Sequence, residues 1–274
     1  MKDLFLDVDG TLYSALQARI PESAERAVKL ARENGCRVFL CTGRSLSECS
    51  AYLNYNVDGF VFSAGSMIYA EHKRIYDRPL PRQDVEEICR LGEKYGFGWC
   101  REGAAGAYSD PKGYATLMRY FSGGDKPYEE MKTRSMASGS YPAEYEDENE
   151  KIYKICFFNH DSEEAFIPME QALKHPYVMT VTYRDPRFHY CAEVTDGRVT
   201  KGTGIARVLE YYGDRKEDAA GFGDSMNDVP MFEACGIGIA MGNAFEEVKK
   251  KADWVTTDID EDGLWNAFRH LGVI

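Results

Sequence analysis

Asp7 and Asp9 stand two residues apart in the string Asp7-Val8-Asp9-Gly10-Thr11, at the end of a short apolar run. At a strand end that spacing lets both side chains project to the same side. One carboxylate can then attack phosphorus, while its neighbour protonates the leaving oxygen and later takes a proton from water. Gly10 allows the backbone close to a ligand. Taken alone, the string also reads as a polar turn. Thr42-Gly43-Arg44 offers a hydroxyl and backbone N–H groups to a phosphoryl oxygen, or simply turns a strand into a helix with Thr as cap. Lys201-Gly202 places an ammonium where it can neutralise charge between an aspartyl nucleophile and a phosphate, although most such lysines are solvated. Gly223-Asp224-Ser225-Met226-Asn227-Asp228 gathers hard oxygen donors of the kind Mg²⁺ prefers.

Each string follows or opens an element that has to position it. Residues 4–8, 37–41 and 59–63 read as buried strands, with a helix over 22–34 whose apolar positions recur at helical spacing. Pro21 and Gly35 flank that helix as helix ends prefer. Residues 47–53 fit a further helix. Near the other end, 202–212, 229–234 and 245–251 read as helices and 219–223, 236–240 and 254–256 as strands. Strands alternating with helices imply a parallel sheet with helical crossovers. Ligands then bind beyond the carboxyl ends of the strands, where all four strings lie. The middle of the chain mixes helical stretches (85–95, 115–120, 163–173) with strand-like ones (154–158, 179–183), around a polar acidic run at 144–150 that reads as solvated. The expected organisation is a discontinuous core, 1–81 and 192–274, with an inserted α/β domain over 82–191.

The 274 residues carry a formal net charge of -12. That balance argues against nucleic-acid binding, which needs a basic face. It also obliges any phosphate site to collect positive charge locally. No apolar run approaches the roughly 20 residues that span a bilayer, and the opening residues do not read as a signal peptide. The eight cysteines form no CxxC pair and read as buried, reduced thiols in a cytoplasmic protein. No Walker string or zinc-type histidine pair is present. Tyr108, Tyr114, Tyr120, Phe121, Tyr141, Tyr145 and Tyr153 read as packing. Arg184, Arg187 and His189 form either a grip for an anionic substrate or a solvated turn.

Together, and in this order, the four strings resemble the DxDGT, TGR, KG and GDSxND motifs of the haloacid dehalogenase (HAD) superfamily phosphatases. The long insertion resembles the C2B cap of the Cof-type subfamily IIB members. The likeness covers about the first and last 80 residues; the middle matches by position, size and α/β character. The resemblance implies a Rossmann-like α/β core with an inserted C2B cap that closes over the reaction. It also implies a Mg²⁺-dependent phosphatase acting on small phosphorylated metabolites, sugar phosphates among them, through an aspartyl-phosphate. Asp7 is then the nucleophile and Asp9 the general acid/base, with Thr42 and Lys201 completing the catalytic set. Gly10, Thr42, Gly43, Arg44, Lys201 and Asn227 are implied to hold the phosphate and substrate. Asp7, Asp224 and the Asp9 carbonyl hold the metal, and Asp228 supports from behind. Asp9 favours hydrolysis over the long-lived phosphoenzyme of the ion pumps. The alternatives carried forward are a hexose phosphomutase on the same scaffold and a non-enzymatic binding protein, and the assembly expected is a monomer or homodimer. One departure stands out: Ala64 occupies a place where many Cof-type members carry Asn.

Overall fold

The computed structural model describes residues 1–49, 52–122, 128–185 and 189–274, and of residues 121, 122, 128 and 131 the backbone alone. In chain order the elements are β1 (Asp3–Asp7), α1 (Glu22–Glu33), β2 (Arg37–Cys41), β3 (Gly59–Phe62), β4 (Met67–Ala70), β5 (Lys73–Asp77), α2 (Arg82–Lys94), β6 (Gly98–Gly103), β7 (Ala107–Ser109), α3 (Pro111–Ser122), α4 (Tyr128–Ala137) and β8 (Ser140–Pro142). Then come β9 (Ile152–Asn159), α5 (Ile167–Ala172), β10 (Tyr177–Asp185), β11 (His189–Asp196), α6 (Lys201–Tyr212), β12 (Ala219–Gly223), α7 (Val229–Ala234), β13 (Ile237–Ala240), α8 (Glu246–Lys249), β14 (Trp254–Val255) and α9 (Gly263–His270).

The chain divides into two compact units, one of Met1–Arg44, Asn54–Asp77 and Val199–Ile274, the other of Ser45–Leu53 and Arg78–Arg198. The first is a sheet in the order β14-β13-β12-β1-β2-β3-β4-β5. Its first six strands run parallel, and β4 and β5 turn back antiparallel at one edge. The parallel strands are short and apolar because helices must cover both faces of such a sheet. Phe5, Phe39 and Val61 pack with Ile205, Val208 and Leu209 of α6. On α1, Ala24, Ala27, Val28 and Ala31 are the buried face, and Gly35 ends the helix at φ 90°. The chain proceeds outward from β1 through β2 to β3 on one side and from β12 through β13 to β14 on the other. The order therefore reverses between β1 and β12, and a crevice opens there at the strands' carboxyl ends.

The second unit is a sheet in the order β10-β11-β9-β6-β7-β8, antiparallel except where β7 meets β8. One face packs Ile155, Phe157, Ala192 and Val194 against Val85 and Ile88 of α2. Several features depart from the sequence reading. β11 carries this unit to Arg198, past the expected end at 191, because its ladder with β10 continues through Asp196. The stretch expected as a helix over 47–53 is a single 3-10 turn, Ser47–Cys49, with residues 50 and 51 outside those described. It belongs with this unit, its Ser47 hydroxyl donating to the Gly103 carbonyl at 3.3 Å. The acidic run is not wholly solvated either. The Glu146 carboxylate is buried and receives Arg101 at 3.1 Å together with Arg82.

Lys154, buried on β9, faces Glu102 at 2.8 Å and Glu193 at 3.0 Å. Burial and the nearby Glu48 push the Glu102 carboxyl up to about 8, with Lys154 pulling against them. A folded-state pKa above the unfolded value favours the protonated fold. This contribution is complete below about 4.5 and is lost as pH rises through about 8. Glu102→Gln should therefore raise the melting temperature at pH 8 while leaving it nearly unchanged at pH 5. Thermal unfolding across that range checks it, and equal shifts at both ends would contradict it. The eight cysteines are free and buried.

Candidate active site

All four strings meet at the crevice of the first unit. Asp7 is the last residue of β1, Thr42 directly follows β2, and Asp224 directly follows β12. Lys201 is the first residue of α6, whose start is fixed by a reciprocal cap: Thr203 N–H donates to the Thr200 hydroxyl at 3.2 Å, and Thr200 N–H to the Thr203 hydroxyl at 2.9 Å. Parallel strands thus bring together residues from both ends of the chain.

The Lys201 ammonium is buried between two carboxylates, donating to Asp7 Oδ1 and, at 2.6 Å, to Asp228 Oδ1. Burial works against that ammonium, yet Asp228 and Asp7 hold its pKa above the ordinary lysine value. The other oxygen of Asp228 accepts the backbone N–H groups of Asp224 and Ser225, each at 3.0 Å, and the Ser225 hydroxyl at 3.3 Å. Asp228 is therefore saturated with donors and acts as an anchor for Lys201 and for its own loop. Burial pushes the Asp7 carboxyl well above the usual range, Lys201 pulls it down, and Asp228 and Asp224 add to the rise. Asp224 is pushed up to about 7, by burial first and then by Asp228.

One carboxylate oxygen from each of Asp7, Asp224 and Asp228 lies within 4.8 Å of the others. With all three ionised, the carboxylates would exceed the one ammonium by two negative charges, the charge that one divalent cation carries. Asp224 Oδ1 is buried without a hydrogen-bond partner, an acceptor left open toward this cluster. Gly10, at φ 82°, lies so close that a Cβ there would stand 2.4 Å from Asp224 Oδ2, so the loop admits glycine alone. The donor set is all oxygen, which fits a hard cation such as Mg²⁺.

Asp9 is placed differently from Asp7. Its side chain is half exposed and is gripped by Arg44, whose Nε donates to Oδ2 at 2.8 Å and whose Nη2 reaches Oδ1. Arg44, expected to contact phosphate, directs its planar fork at this carboxylate, the partner that fork geometry matches best. The Thr42 hydroxyl accepts the Arg44 backbone N–H at 3.1 Å. A Cβ on Gly43 would stand 3.6 Å from Asn227 Nδ2, so the Asn227 amide borders the 42–44 loop.

Asn243 was not anticipated from the sequence. Its amide donates to the Gly10 carbonyl at 2.8 Å and accepts the Ile259 N–H at 3.0 Å. It thereby ties the loop of Asp9 to the loop after β14. The available signal was its place in the turn that follows β13, since strand-end turns of a parallel sheet line the crevice. Of Arg184, Arg187 and His189, read from the sequence as either a grip or a solvated turn, the two described residues each have partners of their own. Arg184 pairs with Glu163, and His189 is buried among the rings of Tyr120, Tyr183 and Phe158. Arg187 and the side chain of Phe121 lie outside the described residues. Among the described residues no helix is long and apolar enough to cross a membrane.

Known proteins resemble this chain over its whole length. The model of the haloacid dehalogenase-like hydrolase family matches residues 4–268. YkrA of Bacillus subtilis (strain 168) is 29% identical over 280 residues, spanning 100% of this chain and 98% of its own. The 5-amino-6-(5-phospho-D-ribitylamino)uracil phosphatase YcsE of the same organism is 26% identical over 275 residues, spanning 98% and 95%. The solved structure of the HAD subclass IIB sugar phosphatase BT4131 superposes with a TM-score of 0.77 at 27% identity, covering all of both chains.

Proposed function

Because the chain belongs to the haloacid dehalogenase-like hydrolases and is a phosphatase of that family, we propose that it hydrolyses small phosphorylated metabolites, sugar phosphates or related polyol phosphates, with Mg²⁺ and through a phosphoaspartate on Asp7. The observation that carries this reading is the Lys201 ammonium held between Asp7 and Asp228 beside the open Asp224 oxygen. Such a site is short of positive charge by the amount a divalent cation supplies. The substrate class rests on the relatives. BT4131 is named a sugar phosphatase and YcsE acts on a phosphoribityl compound, so both names point to phosphate on a hydroxylated carbon chain.

In this mechanism an Asp7 oxygen attacks phosphorus as the bond to the leaving alkoxide breaks, and Asp9 gives that oxygen its proton. Asp9 then takes a proton from the water that attacks the phosphoaspartate, which frees phosphate and restores Asp7. Arg44 orients Asp9 for both transfers. The Thr42 hydroxyl and Gly43 N–H hold phosphoryl oxygens, with Gly10 giving the backbone room and the Asn227 amide beside them. Lys201 keeps Asp7 ionised and aligned. Asp7, Asp224 and the Asp9 carbonyl hold Mg²⁺, which when bound neutralises charge on the phosphoryl oxygens.

A panel of sugar and polyol phosphates, assayed for free phosphate with Mg²⁺, tests the reading. Turnover should stop on chelation and return on adding Mg²⁺. Full activity in excess chelator would overturn the metal assignment, and isomerised ester in place of free phosphate would overturn hydrolysis.

A further inference from the structure

Immediately after β3 the backbone enters the left-handed region for three successive residues. Ser63 stands at φ 47°, Ala64 at 53° and Gly65 at 113°. Only the third is a glycine. Non-glycine residues in this region are uncommon, and a run of them persists only where the surroundings fix the backbone.

Those surroundings are the two halves of the catalytic crevice. On one side, Ser63 N–H donates to the Arg44 carbonyl and Ala64 N–H to the Thr42 carbonyl, both at 2.9 Å. The turn therefore holds the 42–44 loop at its first and last residues. On the other side, Gly65 lies against the start of α6, where a Cβ would stand 2.4 Å from the Thr200 carbonyl oxygen. Gly204, one turn into α6, faces back. A Cβ there would stand 3.0 Å from the Gly65 Cα and 2.8 Å from Val61 Cγ1. Two glycines in contact thus set how closely the helix bearing Lys201 approaches the turn that holds Thr42.

We propose that the left-handed turn Ser63-Ala64-Gly65 is a positioning element, fixing the separation between the 42–44 loop and Lys201 so that Thr42 and the ammonium address one phosphoryl group. The proposal rests on the roles given to Thr42 and Lys201 above. It also gives the departure at position 64 a physical meaning. Ala64 contributes its backbone N–H to the Thr42 carbonyl, and the loop keeps this conformation with alanine there.

The test uses Gly65→Ala and Gly204→Ala in the full chain, with Gly35→Ala as control. Gly35 also has a positive φ, 90°, but nothing lies within 4 Å of a Cβ built on it. Gly65→Ala should lower kcat per folded molecule on the order of tenfold or more, since small misplacements of catalytic groups cost that much. KM should move little, because Thr42 and Lys201 grip the phosphoryl group most strongly in the transition state. Gly35→Ala should lose stability but keep kcat. If Gly65→Ala fails to fold, Gly204→Ala carries the test: alanine suits a helix better than glycine, so the variant should fold and show the same fall in kcat. Wild-type turnover reports on the phosphatase reading alone, and the ratio of variant to wild type reports on the turn. A crystal structure of Gly204→Ala with Lys201 displaced from Asp7 supports the proposal whatever ester is tried. An unchanged kcat in Gly204→Ala, or Lys201 still seated between Asp7 and Asp228, overturns it.

Discussion

Asp7→Asn will lose phosphate release by at least about 10³-fold, because an amide cannot take the phosphoryl group that a carboxylate accepts. The change is nearly isosteric and its effect on stability should run the other way. Asp7 and Asp228 share one ammonium in a buried site, so the wild-type fold holds one carboxylate in excess around Lys201. Burial raises the Asp7 pKa above its unfolded value. A raised pKa means that the charged form costs stability, a cost absent below the unfolded pKa of about 3.8 and growing as pH rises through the folded value. Asparagine removes that cost while its oxygen still accepts from Lys201. The variant should therefore be inactive yet at least as stable as the parent, with the larger gain at higher pH. An aryl phosphate assay beside thermal unfolding at pH 5 and pH 8 reads both effects. Retained turnover would sink the nucleophile, and a marked loss of stability at pH 8 would sink the charge argument.

Lys201→Met reverses the sign on stability. Methionine fills a similar volume, but two buried carboxylates then face each other with no cation between them. Breaking a buried pair in this way costs about 3–5 kcal/mol. The loss should be largest near pH 8 and shrink on acidification, because the Asp7 carboxyl, its pKa raised by burial, then takes up a proton. The lysine itself contributes throughout this range, since its pKa is raised and its stabilisation is complete below the unfolded value of about 10.5. Catalysis should fall at least about 10²-fold, the scale seen when a preorganised charge is removed from a phosphoryl or oxyanion site. Adding Mg²⁺ should recover part of the stability, because a cation in the crevice screens the same two carboxylates. A variant as stable as the parent at pH 8 would show that Lys201 does not hold Asp7 and Asp228 together.

The contrast between these two substitutions was not legible in the sequence, whereas the residues involved were. Asp7, Thr42, Lys201 and Asp224 each sit at the end of a short apolar strand or the start of a helix, and such local signals survive without tertiary information. What escaped the sequence was decided by partners far away in the chain. β5 stays hidden in the sequence because it is half exposed and carries Lys73 and Arg74, so no apolar run marks it. The burial of Lys154 and Glu146 could not be read from polar residue types, because each is admitted to the interior by opposite charge on another strand or helix. The fork of Arg44 on Asp9 and the bridge made by Asn243 depend on loops that meet only in the folded sheet. The left-handed backbone at Ser63 and Ala64 leaves no trace in residue type, since serine and alanine are poor advertisements for it.

The reversal of strand order at β1 has a consequence for how the protein comes into being. Asp3 pairs with Ala219 across the centre of the sheet, and Asp7 meets a lysine contributed by α6. While the chain is being synthesised, Asp7 leaves the ribosome long before Lys201, Asp224 or Asp228 exist. The edge of β1 that β12 will cover stays open during that interval. Contacts this distant in sequence close late and slowly. No N-terminal fragment ending before residue 201 contains a complete site, so the aspartates cannot act until the last strands have docked. Enzymatic activity is thereby a report on the final long-range step of folding.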